Sequence, residues 1–117
     1  MRYMLLINLD ENAMAGANPD PTKMSPEYAA YTEAMHKAGV LVSGERLQDT
    51  RASKRVRTGQ GGTEVLDGPF AETKEQLGGF YMIEVPDMQD AIAWAKRCPS
   101  AATGSIDVRP VWDYAAS

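Results

Sequence analysis

Hydrophobic and polar positions along the chain predict two similar halves, each built as strand, helix, strand. In the first half, residues 2–9 are apolar on both faces, a pattern typical of a central strand that is covered on both sides. Apolar residues then recur at helical spacing from Tyr28 to Ala38, directly after Ser25-Pro26, a pair that favours a helix start. Residues 40–47 predict the second strand, while the polar, glycine- and proline-containing residues 10–23 predict a long surface loop.

The second half repeats this order after a predicted hairpin. Residues 54–57 and 63–66 flank a glycine-rich turn and are expected to pair as two short strands. A strand over residues 80–85 follows, and Asp87 is placed to cap a helix that Pro99 ends. Residues 106–112 alternate between apolar and polar, and Pro110 places that last strand at an edge of the sheet or near its own end.

Two βαβ halves with both helices on one face of a mostly antiparallel sheet make a ferredoxin-like α+β fold. Two helices cover only one sheet face, yet the central strands are apolar on both. A second copy of the chain is the simplest cover for the other face, so the pattern predicts a homodimer whose sheets pack face to face.

Composition narrows the class of protein. The chain has 117 residues, 44% hydrophobic and 24% charged, which fits one domain over residues 1–117. A net charge of -4 argues against a nucleic-acid-binding surface, which needs a basic stripe. No stretch has the length of a membrane span or the pattern of a signal peptide, and the single cysteine, Cys98, cannot form an internal disulfide; we therefore expect a cytoplasmic protein that does not act at a membrane.

The most distinctive stretch is Asp67-Gly68-Pro69-Phe70, followed by Ala71-Glu72-Thr73-Lys74-Glu75. It resembles the signature of the DGPF group of YCII-related proteins. The resemblance extends over nearly the whole chain, through the opening Met-Arg-Tyr-Met-Leu-Leu strand, residues 38–41, 78–81 and 90–95, and Val108-Arg109-Pro110-Val111.

This resemblance implies a ferredoxin-like dimeric α+β barrel, in agreement with the dimer expected from the hydrophobic pattern. The biochemical function of the family is largely unassigned. Similar members often accompany extracytoplasmic-function sigma factors, so the resemblance also implies a regulatory association. The wider family is associated with a histidine–aspartate pair, but the corresponding part of this chain holds Pro26, Tyr28 and Tyr31, and His36 is not assigned that role.

The charged residues of the motif are the candidate site. Asp67, Glu72 and Glu75 are the candidate catalytic bases, since a carboxylate beside an ammonium group can hold a general base or bind a polar substrate. The candidate ligand-binding residues are Glu45, Asp67, Phe70, Lys74 and Arg109. A purely structural interpretation stays open: Asp67 would shape a turn, Phe70 would fill the core, and Arg109 would form an ion pair with Glu45 or with Asp67.

No cofactor or metal is predicted. One histidine and one distant cysteine provide no zinc-ligand spacing, and the turn at residues 59–62 lacks the lysine and the serine or threonine of a phosphate-binding loop.

Three hypotheses remain for the function. The first is a domain that binds a small polar metabolite in a pocket between sheet and helices. The second is an acid–base enzyme, such as an isomerase or lyase, acting on a small organic acid, which is an analogy from the fold alone. The third is an interaction module that acts with a sigma-factor system.

Overall fold

The computed structural model describes residues 1–14, 22–68 and 74–114. Its helices and strands follow one another as β1 (Arg2–Leu9), α1 (Glu11–Met14), α2 (Pro26–Lys37), β2 (Leu41–Arg46), β3 (Lys54–Gly59), β4 (Gly62–Asp67), β5 (Gln76–Glu84), α3 (Met88–Arg97) and β6 (Ser105–Pro110). Short 3₁₀ turns lie at Thr50–Ala52 and Pro99–Ala102. β2, β5, β1 and β6 form one antiparallel sheet in that order, and β3 pairs with β4 in a separate two-stranded sheet. This is the predicted ferredoxin-like α+β arrangement, so the fold class is confirmed.

The predicted capping residues begin both long helices. The side chain of Ser25 accepts a hydrogen bond from the Tyr28 amide at 3.3 Å, and Asp87 accepts one from the Asp90 amide at 2.9 Å. These bonds satisfy amide groups that have no partner within the first helical turn. After α2, Gly39 adopts a φ of 73°, a left-handed conformation in which glycine carries no steric penalty and the chain can turn directly into β2.

The core lies between the sheet and the two long helices. Tyr3, Leu5 and Ile7 point from β1 toward the helices and are buried, as are alternate residues of β5. Met35 of α2 and Ala91 of α3 are fully buried against them. The strict alternation on β1 therefore assigns one face of the sheet to the helices.

The opposite face, here called the open face, has no helix on it among the described residues. Residues directly opposite one another on neighbouring strands share a face, so the register assigns two rows to it. These rows are Ser43–Met82–Met4–Arg109 and Glu45–Phe80–Leu6–Asp107. Apolar side chains occupy the two central strands of each row, and polar or charged side chains occupy the two edges.

Two local predictions need correction. The predicted loop over residues 10–23 begins with the short helix α1. β5 begins at Gln76, so Gly78-Gly79 lies within the strand rather than before it. Glycine is needed at position 79 because a Cβ there would lie 2.8 Å from the carbonyl oxygen of Glu45 on the adjacent strand, closer than real contacts allow.

The predicted hairpin is confirmed, and it stands apart from the body of the molecule. β3 and β4 pair only with each other, every residue of β4 is exposed, and only Arg55 of β3 is partly buried. The Gly68 amide donates to the Ser53 carbonyl at 2.9 Å and closes the hairpin at its base.

Within the described part of the chain, no helix has both the length and the apolar character needed to cross a membrane.

Candidate functional site

An open cleft of about 690 Å³ lies where β1 ends and where β5 and β6 begin. Polar side chains line it throughout: Asn8, Asp10, Lys74, Glu75, Thr103, Ser105 and Asp107. Asp107 lies directly opposite Leu6 in the register of the open face, and Asn8 is two residues further along β1, so the cleft lies at the end of that face. Sequence reasoning expected a pocket on the other side of the sheet, between the strands and the helices.

Strand register brings the two sides of the cleft together. Asn8 of β1 lies directly opposite Ser105 of β6, two residues from Asp107. The Asn8 amide nitrogen Nδ2 donates to Asp107 Oδ2 at 3.1 Å, and Ser105 Oγ donates to Glu75 Oε1 at 2.7 Å. These bonds hold two of the cleft carboxylates in defined orientations.

Charge in the cleft is mainly negative. Asp10, Glu75 and Asp107 contribute three carboxylates, and Lys74 contributes one ammonium group. Asp10 also accepts a hydrogen bond from the Asn12 amide at 3.1 Å, which fixes it at the start of α1. Carboxylates bind ammonium and guanidinium groups through charge-assisted hydrogen bonds. The cleft can therefore hold a cationic group, and Lys74 can hold an anionic group beside it.

The described residues include no group of three histidine, cysteine, aspartate or glutamate side chains arranged to hold a metal ion.

Two of the predicted site residues lie in this cleft, and three lie elsewhere. Lys74 and Glu75 line it. Asp67 lies at the end of β4, where its carboxylate forms an exposed ion pair with Lys54 at the base of the hairpin. Glu72 and Phe70 fall outside the described residues.

Glu45 and Arg109 lie on the open face but at its opposite edges. Glu45 belongs to the edge strand β2 and Arg109 to the edge strand β6, with β5 and β1 between them. Three strand spacings separate these edges by about 14 Å, too far for direct contact. The predicted ion pair between Glu45 and Arg109 of the same chain is therefore wrong.

The structure also explains the glycine of the motif. A Cβ on Gly68 would lie 1.9 Å from the carbonyl oxygen of Thr50, so no other residue fits there without a backbone shift. Thr50 is itself held by Glu11 of α1, whose carboxylate accepts from the Thr50 amide at 2.9 Å and from its hydroxyl at 2.6 Å. Asp67 and Gly68 therefore form part of the base of the hairpin, whereas Lys74 and Glu75 line the cleft.

A hydroxyl and thiol network between the helices was not predicted. The Tyr28 hydroxyl lies 2.5 Å from Ser100 Oγ and 3.4 Å from Cys98 Sγ, and Tyr31 donates to the Trp94 carbonyl at 2.7 Å. Burial raises the pKa of both tyrosines, so each phenol stays protonated and able to donate. These bonds tie α2 to α3 and to the turn that follows it, a role that single-sequence spacing could not reveal because the partners are 63 to 72 residues apart.

His36 and Cys98, which the sequence did not assign to the site, lie away from the cleft. His36 is exposed at the end of α2, and Cys98 is buried beside Tyr28.

Comparison with known proteins places these features in a family. A family model of the YCII-related domain matches residues 1–115. An uncharacterized protein of Rhizobium meliloti (strain 1021) is 37% identical over 117 residues, which is 97% of this chain and 94% of that protein.

Proposed function

The chain belongs to the YCII-related family, and on that premise we propose that the cleft binds a small polar metabolite carrying an ammonium or guanidinium group. The observation that carries the proposal is the charge of the lining: among the described residues it holds three carboxylates against one lysine and no apolar side chain. The ligand is held by hydrogen bonds and charge rather than by apolar contact.

Oriented carboxylates support this choice of ligand. Glu75 and Asp107 each accept a hydrogen bond from a neighbouring side chain, which orients both carboxylates in the cleft. An ammonium group between them gains two charge-assisted bonds. Lys74 can donate a hydrogen bond to a carboxylate or hydroxyl elsewhere on the ligand. Amino acids and their amide or guanidino derivatives therefore fit the lining best.

Cleft size sets an upper limit on the ligand. A volume of about 690 Å³ lies within the range of pockets that hold small metabolites. Because this cleft is open, part of the ligand remains in water, and an affinity in the micromolar to millimolar range is expected.

Thermal stability in the presence of a ligand panel tests the proposal. The panel contains diamines, guanidinium compounds and amino acids, with dicarboxylates of matched size as the comparison. A ligand at a hundred times its Kd stabilises the folded state by about 2.7 kcal/mol. In a domain of this size that raises Tm by roughly 10 °C. Stabilisation by dicarboxylates alone, or by no member of the panel, would contradict the proposal.

Charge-neutralising variants show whether the binding occurs in the cleft. Glu75→Gln and Asp107→Asn each remove one charged hydrogen-bond acceptor, a loss of about 1.5–3 kcal/mol, and should weaken binding by roughly 10- to 150-fold in calorimetric titration. Glu33→Gln is the matched control, because Glu33 is an exposed carboxylate on α2 that pairs with Lys37 at 3.9 Å, away from the cleft. Equal effects in all three variants would mean that ligand binding depends on the net charge of the protein and not on the cleft.

An acid–base enzyme acting on the same class of ligand is the second candidate. Glu75 favours it, since this predicted base lies in the cleft beside Lys74. An enzyme of this kind would exchange a carbon-bound proton of the ligand with deuterated solvent, and Glu75→Gln would abolish the exchange. Binding without exchange or turnover would leave the chain a binding protein.

A further inference from the structure

We propose that the β3–β4 hairpin is an intersubunit arm, which packs on a second copy of the chain when two copies associate through their open faces. The inference concerns assembly and does not require the cleft to bind a ligand.

The hairpin exposes an apolar strip that its own chain does not cover. Val56 and Val65 lie directly opposite each other on one face and are 64% and 61% exposed. Thr58 and Thr63 extend the strip toward the turn. A two-stranded hairpin is marginally stable in water unless something packs on it, so this one needs an apolar partner surface.

The base of the hairpin is held in a defined position. Glu11 binds Thr50, the Gly68 backbone fits closely against the same residue, and Lys54 pairs with Asp67 across the two strands. A segment that is fixed at its base and uncovered along its length can bind a partner with little loss of conformational entropy.

The area of the interface favours a dimer in which both the open face and the hairpin contact the second copy. The open face spans four strands and six paired residues, a footprint of about 390 Å², so two copies would bury about 800 Å² in total through the sheets alone. Specific interfaces need at least about 1,200 Å². The hairpin has two strands of six paired residues, about 200 Å² on one face. Two reciprocal arms, each covering an equal area of the other copy, raise the total to about 1,600 Å², the size of a standard stable interface.

The direction of the two-fold axis decides which edges of the two open faces meet. A two-fold axis parallel to the strands places β2 of one copy over β6 of the other and keeps the strand ends of the two copies at the same level. A two-fold axis across the strands would place β2 over β2 and like edges together. The charges of the hairpin and of the cleft favour the first arrangement, because only that one brings them together.

This orientation brings each arm to the cleft of the other copy. The parallel axis keeps both cleft ends on the same side of the dimer, and the hairpin base contacts α1 at that end. The hairpin, residues 54–67, contains three basic and two acidic side chains, whereas the whole chain has a net charge of -4, so the remainder carries -5. A basic arm is therefore attracted to an acidic cleft rim on the second copy.

Sedimentation of the full chain with variants of the apolar strip tests the arm. The wild-type chain should sediment at twice the 12.8 kDa of one copy. Val56→Asp with Val65→Asp should raise the dimer Kd by about 100-fold, because two charges would be buried without partners. Val56→Thr with Val65→Thr keeps the strand-forming shape and should raise it by about tenfold.

Met24→Asp is the matched control, since Met24 is 59% exposed just before α2, on the helix side of the molecule. It should leave the dimer Kd unchanged. The proposal is overturned if the wild-type chain is monomeric at high micromolar concentration, or if the aspartate pair in the strip behaves like the control. Circular dichroism checks that the four-stranded sheet persists in each variant.

Intermolecular paramagnetic broadening locates the arm. A nitroxide on Thr58→Cys reports the position of the strip, because Cys98 is only 4% exposed and escapes labelling. When labelled chains are mixed with unlabelled ¹⁵N chains, the amides of Ser105 and Asp107 in the ¹⁵N copy should broaden. Broadening confined to the helix face, or none at all, would contradict the arm. The proposed ligand site is tested by separate readouts, so either conclusion can fail without the other.

Discussion

Replacing Gly68 by alanine should loosen the base of the hairpin, and the size of the effect follows from one contact. The added Cβ would lie 1.9 Å from the Thr50 carbonyl oxygen, whereas ordinary contacts begin at 3.4 Å, so the two backbone segments must separate by about 1.5 Å. Forcing atoms into a well-packed site costs about 1–3 kcal/mol. The shift also strains the 2.9 Å bond from the Gly68 amide to Ser53, which contributes about 1 kcal/mol.

Hydrogen exchange of the β3–β4 amides is the assay, because the hairpin can open without unfolding the core. A loss of about 2–3 kcal/mol in opening free energy makes these amides exchange roughly 30- to 150-fold faster. Gly61→Ala is the matched control: it lies in the turn of the same hairpin, and its Cβ would meet nothing within 4 Å.

Equal exchange rates in the two variants would refute this explanation of the motif glycine. The amides of β1 and β5 should keep their protection in both variants, since those strands belong to the other sheet. Loss of protection in β1 as well would show that the hairpin and the core open together.

Two further predictions concern the core. Met35→Ala should lower the free energy of unfolding by about 2–5 kcal/mol in urea denaturation, because Met35 is fully buried, whereas Met24→Ala should change it by less than about 0.5 kcal/mol. Burial raises the pKa of Tyr28, Tyr31 and Tyr81 above the value of 10.0 expected in the unfolded chain, so the folded state binds these protons more tightly. The contribution of these phenols to stability is constant below pH 10 and should fall above it, by up to about 1.4 kcal/mol per pH unit for each phenol. Tyr28→Phe should flatten this fall in a Tm series across alkaline pH, and a wild-type Tm that does not change there would contradict the assignment.

Much of the fold could be predicted because it depends on local chemistry. Alternation along β1, the Ser25-Pro26 start of α2 and the Asp87 cap of α3 each act within a few residues, and each is confirmed. The early start of β5 was missed because Gly78-Gly79 looks like a strand boundary, whereas the second of these glycines in fact admits the β2 backbone. That contact depends on strand pairing, which a single sequence does not display.

The candidate site was predicted only in part, for the same reason. Lys74 and Glu75 stand out as charged residues after a rigid turn, and the cleft includes both. Asn8 and Ser105 were not predicted, since they meet only through the register of β1 with β6, nearly a hundred residues apart in the chain. The association with sigma factors and the cytoplasmic location stay predictions.

Amide chemical shifts of the ¹⁵N-labelled chain, followed during titration with the ammonium-bearing members of the ligand panel, test the central claim most directly. Saturable shifts at Asn8, Glu75 and Ser105, reduced in Asp107→Asn and unchanged in Glu33→Gln, are the predicted result. Shifts centred on the hollow between the helices, at Glu27 and Arg97, or no saturable shifts at millimolar ligand, would contradict it.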